Sequence, residues 1–147
     1  MKKLFIVFLA ALLISCSNSG NSTAKKVENV GAAKKAVAAD LKPVHATYTP
    51  HQVMNLIQKR KDLLLIDVRS PQELKEGKLS NSILIPFWDI MRGNYNIPHN
   101  RPIMLYCAVG GRSYGAMQIL AKKGYSEVYN MKGGISEWKK EGLPVVY

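Results

Sequence analysis

The chain has 147 residues, and its 21 Lys and Arg against 10 Asp and Glu give a formal charge of +11. That length fits one domain of about a hundred residues with a modest core, once an N-terminal leader is set aside. The basic residues fall as scattered pairs such as Lys25-Lys26, Lys34-Lys35 and Lys139-Lys140 with no aromatic interleaving, which argues against a nucleic-acid surface and leaves a bias toward small anions.

Lys2-Lys3 precede eleven apolar residues, Leu4 to Ile14. A helix needs ~20 residues to cross a bilayer, so this run reads as a signal peptide over residues 1–15. The four residues Leu13-Ile14-Ser15-Cys16 close it and resemble the bacterial lipoprotein box. The resemblance implies cleavage before Cys16, a diacylglycerol on its sulfur, and a mature protein held on a membrane of the bacterial cell envelope with its domain outside the cytoplasm. Each buried CH₂ of such a chain contributes ~0.8 kcal/mol to that anchorage. Of the two cysteines, Cys107 is then the only free thiol, so an internal disulfide is excluded and whatever leaves its sulfur must be removed by an external molecule. Residues 16–45, rich in Asn, Ser, Gly, Ala and Lys, read as the lipidated cysteine and a tether; about thirty residues of coil reach ~30 Å on average.

The folded part, residues 46–147, is expected to open near Tyr48. Thr49, Pro50 and Gln52 form an N-cap, an N1 proline and a capping-box partner for a first helix to about Arg60. Leu63 to Val68 is a short continuous apolar run, the pattern of a parallel strand covered on both faces. Asp67 and Arg69 at its carboxyl end read as a buried ion pair in preference to a catalytic acid. Ser70-Pro71-Gln72-Glu73 begins a second, short helix, and Ile83 to Pro86 reads as another short buried strand. Phe87 to Ile97 places Trp88, Met91 and Tyr95 around a helical turn as core or pocket wall. Ile103 to Tyr106 is the central strand, Ser113 to Lys123 a helix stopped by Gly124, Val128 to Met131 a strand, and Gly134 to Glu141 a last helix. Strands and helices alternate, which argues for a small doubly wound parallel α/β sheet.

The chemistry is concentrated in Cys107-Ala108-Val109-Gly110-Gly111-Arg112, between the central strand and a helix. Such a turn leaves backbone N–H groups without intrahelical partners and aims them into one concavity suited to an anion. A cysteine there has its pKa lowered from ~8.5 to ~3.5–7.5, which makes Cys107 a nucleophile. Gly110 and Gly111 are expected to turn successive amides inward, and Arg112 to add a fixed charge and a fork of donors for an oxyanion. Two conditions follow: the amide dipoles must face the sulfur, and the thiol must not be walled off from solvent. His45, His51 and His99 lack metal-ligand spacing, so neither a metal nor a cofactor is expected.

Five stretches carry a resemblance to the single-domain rhodanese family of sulfurtransferases: Ile66-Asp67-Val68-Arg69, Pro71…Glu73…Gly77, Ile83 to Pro86, Cys107 to Arg112, and Gly133-Gly134…Trp138…Gly142-Leu143-Pro144-Val145. The resemblance implies that Cys107 takes a sulfane sulfur from a small anion such as thiosulfate, becomes a persulfide, and passes it to cyanide, an external thiol or a protein dithiol. It implies that Ala108, Val109, Gly110, Gly111 and Arg112 surround the transferred sulfur, while Asp67, Arg69 and Glu73 act as scaffold for the loop. The chain departs from the family at Lys78, where a histidine is usual. Cysteine-dependent phosphatases and arsenate reductases have five residues between Cys and Arg; here there are four, Ala108 to Gly111, which favours sulfur. A membrane-tethered sulfur carrier with little turnover of its own is the other alternative.

Overall fold

The computed structural model describes residues 43–147. Five parallel strands stand in the order β1-β5-β4-β2-β3: β1 Val44–Tyr48, β2 Leu64–Asp67, β3 Ile83–Leu84, β4 Ile103–Tyr106 and β5 Glu127–Met131. Among the described residues four α-helices, α1 Pro50–Lys59, α2 Phe87–Arg92, α3 Gly111–Lys122 and α4 Gly134–Lys140, and a 3-10 helix at Pro71–Glu76 accompany them. The signal peptide, Cys16 and nearly all of the expected tether lie outside the described residues.

The alternation of side chains along the central strands divides the core in two. Ile66 and Leu105 point to one face, where they pack with Ile90 of α2 and Ala116, Met117 and Leu120 of α3. Their neighbours Leu65 and Met104 point to the other, against Val53 of α1 and Ile135 and Trp138 of α4. Helices on both faces of one parallel sheet are what strands that read as unbroken apolar runs require. β4 lies between β2 and β5 with all four residues buried, so its carboxyl end opens at the middle of the sheet.

Local signals mark most boundaries. Thr49 Oγ1 caps α1, and Gln52 Oε1 accepts from the Thr49 N–H at 2.9 Å. Glu73 Oε2 accepts from both the N–H and the hydroxyl of Ser70 at 2.9 Å, which starts the 3-10 helix in the expected place.

Three expectations are corrected. The sheet begins at Val44, not at Tyr48: β1 is an edge strand paired with β5 from Val44↔Glu127 to Tyr48↔Met131. Its residues are mostly exposed and carry no apolar run, which is why its pattern does not read as a strand. β3 is likewise an edge strand, with Ile83 43% exposed, and not a buried one. Trp88 and Met91 are 56% and 55% exposed; only Tyr95 of that trio packs against the core.

Candidate functional site

The chain turns out of β4 at Cys107 and into α3 at Gly111, so Ala108, Val109 and Gly110 form the bend. Gly110 has φ +94°, and a Cβ there would stand 3.1 Å from both the Gly133 nitrogen and the Met131 carbonyl oxygen. Only glycine takes that conformation in that space. Gly111 is corrected: it has ordinary helical backbone and open space where a Cβ would go, so it is not required for the turn.

The Gly110 N–H donates to Cys107 Sγ at 3.1 Å, and the Ser113 hydroxyl lies 3.5 Å from the same sulfur. Burial pushes the Cys107 thiol up, but hydrogen bonds from the Ser113 hydroxyl and from the Ser113, Gly110 and Val109 amides outweigh it and hold the thiol below its ordinary value of 9.0. The Gly110 amide therefore faces the sulfur. The second condition goes the other way, for Cys107 is 1% exposed. It is covered, beneath a rim in which Val109 is 71% exposed.

The loop's carbonyls are tied down by the neighbouring helix. The Ile135 and Ser136 N–H groups at the start of α4 donate to the Cys107 and Ala108 carbonyl oxygens at 2.8 and 3.0 Å. Gly134 permits this approach: a Cβ there would lie 2.3 Å from the Cys107 oxygen and 2.5 Å from the Ala108 oxygen.

Arg112 is not the free charge the sequence suggests. Its Nη1 and Nη2 donate to the two Glu73 oxygens at 2.8 and 2.6 Å. Arg112 draws the Glu73 carboxyl down to about 2, and Glu73 in turn raises the Arg112 guanidinium, to which a Cys107 thiolate adds. Glu73 thus reaches the loop directly. Asp67 and Arg69 are fully buried and paired, Nη2 to Oδ2 at 2.7 Å. Arg69 also donates to the carbonyls of Glu73 at 3.1 Å and Gly77 at 2.8 Å, so the pair braces the segment that carries Glu73.

Lys78 forms an antiparallel bridge with Val146, its N–H donating to the Val146 carbonyl at 2.7 Å. His45 meets the Tyr125 carbonyl at 2.9 Å, His51 meets Glu141 at 2.5 Å, and His99 stacks on the Tyr125 ring at 3.9 Å.

One residue near the sulfur escapes motif reading. Asn130, 4% exposed on β5, accepts from the Ser113 hydroxyl at 2.6 Å. The available signal is a lone amide between Tyr129 and Met131 in a strand buried from Val128 onward, three residues before Gly133.

A family model described as "Rhodanese-like domain" matches residues 49–141. A sulfurtransferase of Allochromatium vinosum is 39% identical over 85 residues, covering 58% of this chain and 79% of that protein. A thiosulfate sulfurtransferase of Vibrio cholerae is 27% identical over 89 residues, covering 60% of this chain and 84% of that protein. Among solved structures, a rhodanese-related protein of Thermoplasma volcanium superposes with a TM-score of 0.62 at 31% identity, covering 69% of this chain and 97% of that one.

Proposed function

From the premise that this chain belongs to the rhodanese-like domain family, we propose that it moves a sulfane sulfur through a persulfide on Cys107. Family membership and the sulfurtransferases among its relatives support sulfur transfer in general terms. The finer reading is carried by one observation, the Gly110 N–H aimed at Sγ at 3.1 Å in a loop that leaves four residues between Cys107 and Arg112.

Thiosulfate is the proposed donor. Once the loop yields enough to admit the donor to the covered Sγ, the Cys107 thiolate attacks its outer sulfur, the sulfur–sulfur bond of the donor breaks, and sulfite leaves with the electron pair. Negative charge then rests on the terminal sulfur of the persulfide, inside amides that need not reorient to meet it. A cyanide ion, a small thiolate or a protein dithiol next attacks that sulfur, and the bond to Sγ breaks with its pair returning to Cys107. Two displacements through a covalent intermediate give ping-pong kinetics. Because Glu73 already holds Arg112, the arginine contributes to donor binding through the donors Glu73 leaves free.

Wild-type protein is expected to catalyse thiosulfate:cyanide sulfur transfer and to gain one sulfur, ~32 Da, on donor treatment before acceptor is added. Cys107→Ser is expected to lose both; full transfer in that variant ends the proposal. The 1% exposure of Cys107 favours a second reading, a sulfur carrier that loads once and turns over slowly until a partner opens the rim. Stoichiometric loading followed by very slow cyanide turnover selects it. Hydrolysis of p-nitrophenyl phosphate faster than sulfur transfer selects the phosphatase instead.

Anchorage through lipid on Cys16, on the envelope and outside the cytoplasm, is proposed from the N-terminal pattern alone. Metabolic labelling with a fatty acid, lost in Cys16→Ala, tests it.

A further inference from the structure

Ser113 Oγ is within reach of three acceptors: Asn130 Oδ1 at 2.6 Å, the Gly110 carbonyl oxygen at 3.1 Å and Cys107 Sγ at 3.5 Å. A serine hydroxyl has one proton, so acceptors compete for it. Ser113 is 0% and Asn130 4% exposed, which keeps bulk water from making good the loss. On the far side of the amide, Asn130 Nδ2 donates to Thr47 Oγ1 at 3.3 Å.

A threonine hydroxyl both donates and accepts. Thr47 therefore serves either end of the Asn130 amide: it accepts from Nδ2 as observed, or donates to Oδ1 once the amide turns over. In the turned arrangement Nδ2 donates to Ser113 Oγ, and the Ser113 proton is left to Sγ and the Gly110 carbonyl. Both arrangements leave Asn130 and Ser113 partnered. They differ in how much of the Ser113 hydrogen bond the sulfur receives.

We propose that Asn130 is a positioning residue for Cys107 acting through Ser113, drawing the shared Ser113 proton away from the sulfur in one amide orientation and giving it up toward the sulfur in the other. The proposal deepens the sulfur-transfer reading and rests on it for its purpose, because charge on Sγ alternates in that cycle. In the persulfide the negative charge sits one atom outward, on the terminal sulfur. When an acceptor attacks, its bond to the terminal sulfur forms, the bond from that sulfur to Sγ breaks, and the electron pair lands on Sγ. A hydrogen bond from Ser113 then stabilises the leaving thiolate. No proton changes its heavy atom; one hydroxyl rotates and one amide turns.

The charged group facing the sulfur from the start of α3 is Arg112, held by Glu73 of the 3-10 helix, and the Asp67–Arg69 pair at the end of β2 is closed on itself. None of these is altered in the test.

The test is the pH dependence of iodoacetamide alkylation in the whole chain, read by mass at the Cys107 peptide, a measurement independent of whether sulfur is transferred. Asn130→Leu, close in volume, and Asn130→Ala, smaller, both remove the nearest competing acceptor and leave the Gly110 carbonyl in place. In each the titration midpoint is expected to fall by on the order of one pH unit, roughly tenfold more thiolate below the midpoint. Ser113→Ala is expected to raise it, and Asn130→Ala in the Ser113→Ala background to titrate like Ser113→Ala alone. A midpoint that stays or rises in a folded Asn130 variant overturns the proposal, as does a fall that survives without Ser113. Circular dichroism identifies a variant that fails to fold; Asn130→Ala, which adds no volume, then carries the comparison. Loss of the sulfur-transfer reading would show instead as activity persisting in Cys107→Ser, with these midpoints unaffected.

Discussion

Two helices leave this sheet from left-handed glycines, α3 after Gly110 at φ +94° and α4 after Gly133 at φ +73°, and their first amides find different partners. At α3 the cap N–H meets a sulfur; at α4 the Ile135 and Ser136 N–H groups meet the carbonyls of Cys107 and Ala108. A helix N-terminus attracts an anion only with amides that nothing else has engaged. α4 has used its amides on the backbone, so it clamps the loop; α3 keeps its own for the atom the loop presents. One turn geometry thus supplies both the cradle and the bracket that holds it still.

Breaking the bracket should have the largest effect. In Gly134→Ala the new Cβ meets two carbonyl oxygens at 2.3 and 2.5 Å, both backbone, with φ at +57°. Left-handed backbone costs about 1–2 kcal/mol outside glycine and overpacking about 1–3 more, so several kcal/mol of stability are lost. Urea denaturation should show the midpoint collapse, and any folded remnant should have lost sulfur transfer. A near-normal midpoint would show that α4 does not hold the loop.

Removing the charge that restrains the cradle should have a middling effect. Glu73→Gln leaves Arg112 uncompensated at the rim, so the thiosulfate KM is expected to fall several-fold while stability drops by about 1 kcal/mol, as for a well-aligned pair near the surface. An unchanged KM would mean that Arg112 does not face the donor. The pH dependence has a definite sign. The Glu73 carboxyl is held at about 2 against 4.5 unfolded, so the contribution of the pair is complete above pH 4.5 and is lost as pH falls from there toward 2. Wild type should therefore show an acid-induced loss of stability in that window which Glu73→Gln lacks.

The difference between the two helix starts also explains what was legible in the sequence. Ile103 to Tyr106, the run Leu63 to Val68 that contains β2 at Leu64–Asp67, and the capping patterns at Thr49 and Ser70 are local signals, and each marks its element. The loop could be located because Cys, Gly and Arg lie within six consecutive residues. What closes around it comes from afar in the chain: Glu73 is 39 residues from Arg112, and Asn130 is 17 from Ser113. No local spacing encodes such contacts. β1 does not read as a strand for a related reason, since an edge strand with one neighbour needs no apolar run and is specified by its partner β5. The burial of Cys107 is hidden in the sequence too, because the loop that carries it is held by Ile135 and Ser136 of α4, which lie far along the chain.

The smallest change separates the two glycines of the loop. Gly110 has a conformation and a space that exclude a side chain, whereas Gly111 is a helical residue with nothing within 4 Å of a Cβ. Alanine is favoured over glycine in a helix by roughly 0.5–1 kcal/mol, so Gly111→Ala is expected to raise the melting temperature slightly. Sulfur transfer should persist, because the amide that meets Sγ at 3.1 Å belongs to Gly110. Measured side by side, Gly110→Ala should lose the depressed thiol titration and Gly111→Ala should keep it. A large loss of activity in Gly111→Ala without loss of stability would show that the donor passes over that position to reach the covered sulfur, and would place the opening of the rim there.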